Sequence, residues 1–134
     1  MENSTNSVID ITRLSKAYSG LKVLDGINIQ VPKNSIYGFL GPNGAGKSTT
    51  IKLILGLMRP TSGRITVFGD DVQVKTGSIR RRIGYLAQEP RYYDYMTARQ
   101  ILRYTAKFFY QGPQDLIEER VEEMLEMVGL ADKA

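Results

Sequence analysis

Cysteine is absent from this sequence, and so is histidine. Without cysteine there is no disulfide framework and no thiolate chemistry, which fits a reducing cytosol. Without histidine there is no imidazole to serve as metal ligand or general base. Long apolar runs are missing too. The stretch 51–58 is broken by Lys52 and Gly56, and nothing approaches the roughly 20 apolar residues of a membrane span. Residues 1–6 lack the basic start and apolar core of a secretory leader, so any membrane contact is expected through a partner. No internal repeat or low-complexity tract is present.

What remains is an ordinary globular composition: 134 residues, 42% hydrophobic and 24% charged, enough for one domain with its own core. The net charge of +4 is modest and segregated. Arg80-Arg81-Arg82 is a short basic run, whereas 115–126 holds six acids and one arginine. Two solvated faces of opposite sign are expected, with no nucleic-acid partner.

Periodicity gives the elements. Val8-Ile9-Asp10-Ile11-Thr12 and Ile27-Asn28-Ile29-Gln30-Val31 alternate as half-buried strands do, joined through Tyr18-Ser19-Gly20. Ile36-Tyr37-Gly38-Phe39-Leu40 is mostly apolar and predicts a strand buried on both faces. A helix is predicted over 47–57, with Ile51, Ile54, Leu55 and Met58 on its inner face. Arg59-Pro60-Thr61-Ser62-Gly63 is a turn, 64–68 a short strand closed by Gly69-Asp70-Asp71, 78–82 one helical turn, and 83–87 another strand. Beyond Met96 the period becomes helical. Thr97 with Gln100 forms a capping-box pattern ahead of the stripe Ile101, Leu102, Thr105, Phe108 and Phe109. Pro113 suits the first turn of a last helix, which carries Ile117, Val121, Met124, Leu125 and Val128 inward and has Gly129 as its cap.

The chemistry lies between strand and helix. Gly41-Pro42-Asn43-Gly44-Ala45-Gly46-Lys47-Ser48 matches the phosphate-binding loop pattern in full. Gly44 and Gly46 let the backbone turn its amides toward phosphate oxygens. The helix start adds partial positive charge, Lys47 adds a full one, and the Ser48 hydroxyl is placed to ligate magnesium. The loop alone leaves ATPase, GTPase and small-molecule kinase open. No Asn-Lys-x-Asp segment for reading guanine is present, nor are acceptor and lid residues for a kinase.

With its flanks, the sequence resembles the nucleotide-binding domain of ABC transporters. The similarity rests on the loop from Gly41 to Thr49, on Gly56-Leu57-Met58-Arg59-Pro60-Thr61-Ser62-Gly63-Arg64-Ile65 with Gly69, on Lys16-Ala17-Tyr18, and on Ile83-Gly84-Tyr85-Leu86-Ala87-Gln88-Glu89-Pro90. The resemblance implies an α/β P-loop NTPase core with an antiparallel β subdomain over residues 1–87. The glutamine loop and the beginning of a helical subdomain would follow over 88–134. It implies ATP and Mg2+ as cofactors. Tyr18 would stack on adenine, Val23 would cover the base's other apolar edge, and Gly41, Pro42, Asn43, Gly44, Ala45, Gly46, Lys47, Ser48 and Thr49 would hold the phosphates. Ser48 and Gln88 would meet magnesium, with Gln88 also reaching the attacking water. The plainer alternatives are a turn tyrosine packing on the sheet for Tyr18 and, on equal terms, a core valine for Val23; read without the family, Gln88 is only a polar residue after a strand. Tyr92, Tyr93 and Tyr95 suit interface anchors or the subdomain's own core.

The resemblance also implies a transmembrane permease subunit and a second nucleotide-binding subunit as partners. The place is cytoplasmic, peripheral on the inner face of the cell membrane, and the task is transport, with export the favoured direction. The family's serine-glycine-glycine signature, its Asp-Glu strand and its switch histidine do not occur. The expectation is therefore an incomplete sheet and a truncated piece that does not hydrolyse ATP alone. A nucleotide-binding-only fragment and a non-transport ABC-type ATPase stay open. Asp70 and Asp71 read as turn residues and not as the Asp-Glu pair.

Overall fold

The computed structural model describes residues 6–134; the reading of residues 1–6 as lacking leader character lies, apart from Asn6, outside them. The chain divides into two compact units, Met1–Gly84 and Tyr85–Ala134.

The first unit is built on an antiparallel hairpin, β1 (Ser7–Tyr18) and β2 (Leu21–Pro32), paired from Tyr18 against Leu21 back to Ser7 against Pro32. Its two-residue turn, Ser19-Gly20, has both φ values positive (46° and 88°), the sense that matches strand twist. β3 (Ser62–Val67) lies on the other side of β1, and β4 (Asp70–Asp71) closes the sheet in the order β2-β1-β3-β4. Strict alternation would place Ile11 and Arg13 on one face. Instead the ladder is irregular between Ile11 and Leu14, and Arg13 takes a left-handed φ of 46°. The resulting bulge turns Arg13 out and brings both Ile11 and Leu14 into the core.

α1 (Lys47–Ile54), α2 (Thr76–Arg80) and Val72, just after β4, supply the rest of that core: Leu53, Ile79 and Val72 join Ile11, Leu14, Leu24, Ile65 and Val67. Two expectations are corrected here. The helix stops at Ile54, because Gly56 at φ 62° closes it: its N–H donates to the Leu53 carbonyl and that of Leu57 to Lys52. Of the expected inner face, Leu55 is buried and Ile54 and Met58 pack against the core, but Ile51 is exposed, and Thr50 and Leu53 are the helix's fully buried residues. Thr50 is accepted at a buried position because its hydroxyl donates to the Gly46 carbonyl (3.0 Å). Arg80, expected on a solvated basic face, instead caps the far end of α1. It donates to the carbonyls of Leu55 (2.8 Å) and Gly56 (2.7 Å).

A third correction concerns strands. Neither 36–40 nor 83–87 joins a ladder, and Ile36 and Leu40 stand almost fully in solvent. A strand buried on both faces exists only through its neighbours, and no described segment pairs with these two. The sheet is antiparallel and incomplete, as expected. Asp70 and Asp71 are also reassigned. The turn itself is Phe68-Gly69, both at positive φ, and the two aspartates begin the returning strand, paired with Lys75 (2.7 Å) and Arg64 (2.8 Å).

The second unit is a helical pair, α3 (Ala98–Phe109) and α4 (Gln114–Met127). The capping box is present: Gln100 N–H donates to the Thr97 hydroxyl (3.3 Å), and Thr97 N–H donates to the Gln100 side chain (2.9 Å). Pro113 is the N-cap, one position before the first turn, and Gly129 caps the C-terminus. Val121 and Leu125 are buried, whereas Phe108, Phe109 and Val128 remain exposed. Tyr93 packs edge-on against Tyr104 (6.0 Å between ring centres), while Tyr95 is largely in solvent.

Arg99 bridges the two helices, donating to both carboxylate oxygens of Glu122 (2.7 and 2.9 Å). These hydrogen bonds, more than the opposing effect of burial, hold the Glu122 carboxyl below the usual carboxylate range. A group with a depressed folded pKa contributes stability above its unfolded pKa and loses it as pH falls through the folded value. The thermal midpoint of the helical unit, followed by circular dichroism, is therefore expected to decline as acid is added below the ordinary glutamate range. Glu122→Gln should flatten part of that decline; an unchanged acid profile would contradict the bridge.

Candidate functional site

The glycine-rich loop lies in the first unit and leads directly into α1. Gly44 (φ 83°) and Gly46 (φ 84°) both take the left-handed conformation, alternating with Ala45 between them. That alternation turns successive amides toward one side, a concavity suited to an anion. Gly46 is the N-cap of α1 and offers no side chain to its first amides, so the orphan N–H groups of the helix start remain available. The residues Gly41 to Ala45 and Ser48 are exposed, Gly46 is buried, and Lys47 and Thr49 are half-buried.

Lys47 folds back over the loop. Its ammonium donates to the carbonyls of Gly41 (2.5 Å) and Pro42 (2.7 Å). An ammonium has three donors, so the third remains for an incoming oxygen. Ser48, one residue further into the helix, is exposed. A small divalent cation such as magnesium keeps its waters and takes one or two protein oxygens together with phosphate oxygens. The hydroxyl of this exposed residue fits that donor requirement.

The closed end of the β1–β2 hairpin borders the loop. A Cβ built on Gly46 would lie 2.5 Å from Leu24 Cδ2 and 3.1 Å from the Val23 carbonyl oxygen, so this glycine sits flush against β2. Val23 is half-buried and packs on the core from this edge. Leu24 is the ladder partner of Lys16, and Tyr18 ends the same strand, 44% exposed. The structure thus sets Val23 and Leu24 against the loop at Gly46, with Tyr18 at the end of the neighbouring strand. Gln88 belongs to the second unit, exposed in a segment without regular structure.

Sequence reasoning missed the supports of Tyr18. The Tyr18 hydroxyl donates to Met58 Sδ (3.2 Å), and the Lys16 ammonium lies 4.9 Å from the Tyr18 ring centre. Lys16 also donates to the Arg59 carbonyl (2.8 Å), and Ala17 N–H donates to the Thr61 hydroxyl (3.0 Å). Thr50, which ties the helix to Gly46, was missed as well. Met58, Arg59 and Thr61 are linked to Tyr18 and its neighbours only by proximity in space, 40 to 44 positions away along the chain.

Comparison with known proteins accords with this arrangement. Residues 24–134 match the ABC transporter family. The chain is 43% identical over 125 residues to the bacitracin transport ATP-binding protein BcrA of Bacillus licheniformis, covering 93% of this chain and 40% of that protein. It is 36% identical over 133 residues to the daunorubicin/doxorubicin resistance ATP-binding protein DrrA of Streptomyces peucetius, covering 98% and 40%. Among solved structures, an ATP-binding subunit of an ABC transporter superposes with a TM-score of 0.80 at 31% identity, over 92% of this chain and 51% of that one. The chain thus spans about 40% of the length of these curated relatives. Within the described residues, no helix is long and apolar enough to cross a membrane. With a glycine-turned loop at an uncapped helix start, a lysine folded across it and these relatives, the chain belongs to the ABC transporter family, as part of its ATP-binding domain.

Proposed function

We propose that this chain holds Mg-ATP at the loop running from Gly41 to Thr49, and that it is part of the energy-coupling subunit of a transporter. The observation that carries the reading is the Lys47 ammonium bridging two loop carbonyls, from the first residue of a helix whose start has no side-chain cap. Phosphate oxygens would take the inward amides and the free donor of Lys47, and Ser48 would share the magnesium with them. Thr49 would hydrogen-bond near the α-phosphate, with Tyr18 against the base and Val23 at its edge. Gln88 would approach the metal or the attacking water when the whole site assembles.

The names of the relatives, bacitracin transport and daunorubicin/doxorubicin resistance, support export as the direction. The reading includes a permease subunit and a second nucleotide-binding subunit as partners, at the cytoplasmic face of the membrane. Positioning phosphate and magnesium does not by itself activate a water molecule; a carboxylate or equivalent base must do that. None of the residues assigned to the loop is a carboxylate, so binding without turnover is the outcome we expect of this chain.

A colorimetric phosphate-release assay tests this. Release from Mg-ATP is expected to stay at the level of a Lys47→Ala control. Release that exceeds buffer and disappears in Lys47→Ala would show a complete hydrolytic site within the chain.

A further inference from the structure

One flank of the site carries hydrogen bonds that the phosphate chemistry does not use. The last four residues of β1 are laced to the segment that follows α1: Thr61 N–H donates to the Ser15 carbonyl (2.9 Å), Lys16 to Arg59, Ala17 to Thr61 and Tyr18 to Met58. The consequence falls on the Tyr18 ring. Its hydroxyl is tethered at Met58, and the Lys16 ammonium, itself pinned to the Arg59 carbonyl, covers one ring face at 4.9 Å. A side chain held at its tip and on one face keeps little freedom about its two torsions, so stacking on it orders little more.

We propose that Lys16 is a positioning residue for base recognition: anchored by the turn 58–61, it fixes Tyr18 and leaves the opposite ring face as the platform on which the nucleotide base stacks. The proposal rests on the reading of Tyr18 as the base contact. A cation on one face of an aromatic ring is attracted by the ring's quadrupole. By drawing π density toward itself it makes the far face less negative, so an electron-rich purine meets less repulsion there. Lys16 thereby acts on the base through Tyr18, whereas Lys47 acts on the phosphates directly. The two lysines divide the ligand between them.

That division gives the test: calorimetric affinities for Mg-ATP and for magnesium tripolyphosphate, which has the phosphates and no base. Lys16→Met keeps the apolar stem and removes the charge. It is expected to weaken Mg-ATP about 5-fold, within the range of a partly exposed cation–π contact, and to leave tripolyphosphate unchanged. Lys16→Arg should restore Mg-ATP affinity, and Lys16→Met should add nothing in a Tyr18→Ala background. If Tyr18→Ala weakens Mg-ATP while Lys16→Met does not, the base contact stands and the positioning role is overturned. Equal losses for both ligands in Lys16→Met would reduce Lys16 to a structural residue and overturn the proposal. If Tyr18→Ala leaves Mg-ATP unaffected, Tyr18 is not the base contact and the proposal goes with it. If the native chain binds neither ligand, the nucleotide reading fails first.

Discussion

Replacing Gly46 with alanine is expected to lower Mg-ATP affinity about 100-fold. Two costs combine at this residue. Its φ of 84° is a conformation that costs an L-residue roughly 1–2 kcal/mol. The added Cβ would also stand 2.5 Å from Leu24 Cδ2, and Leu24 is a buried core side chain with little room to retreat. Overpacking of this kind costs about 1–3 kcal/mol. The loop escapes both costs by opening, so the binding-competent form becomes the minor one, and apparent affinity falls with its population. A shift of about 3 kcal/mol is close to two powers of ten. Gly44→Ala separates the two costs. Its φ is 83° and nothing lies within 4 Å of the place its new methyl group would take, so only the conformational cost applies, about 10-fold. Equal effects at the two glycines, measured by titration calorimetry, would mean that packing against the hairpin does not shape the loop.

Gly63→Ala is expected to remove about 4 kcal/mol of stability from the β unit, a large share of the roughly 5–15 kcal/mol by which domains are typically stable. A Cβ here would meet the Arg13 carbonyl oxygen at 2.3 Å, the Arg13 carbonyl carbon at 2.6 Å and Leu14 Cα at 2.6 Å. All are backbone atoms of the bulge that brings Leu14 inward, and the φ of 88° adds conformational cost. No rotamer change relieves such a clash; β1 and β3 must separate. The urea midpoint should fall steeply with an unchanged dependence on denaturant. A loss below about 1 kcal/mol would show that the bulge yields easily.

The parts legible in the sequence are those whose chemistry restricts residue type locally. The loop needs Gly44, Gly46, Lys47 and Ser48 within a few positions, and the structure places them at a helix start. The Thr97–Gln100 capping box is equally local, and its hydrogen bonds are both present. Features set by tertiary context were not legible. Apolar 36–40 reads as a buried strand, yet burial depends on neighbours that the pattern cannot supply, and its side chains face water. Ile51 and Leu53 lie on different faces of α1, and the choice between them was made by the sheet beneath. The bulge at Arg13 breaks alternation with no glycine or proline to announce it. Lys16 reads as an ordinary surface lysine until the fold brings the Arg59 carbonyl beneath it.

The claim on which these arguments depend is that the Lys47 ammonium and the glycine-turned amides form an anion site for nucleotide phosphates. Titration of the folded chain with Mg-ATP, alongside Lys47→Ala, tests it most directly. Saturable one-to-one binding is predicted for the native chain. Loss of a charge-assisted hydrogen bond of about 1.5–3 kcal/mol should weaken the variant roughly 10- to 100-fold. A well-folded native chain that does not saturate, or a variant that binds as tightly as the native, would contradict the account.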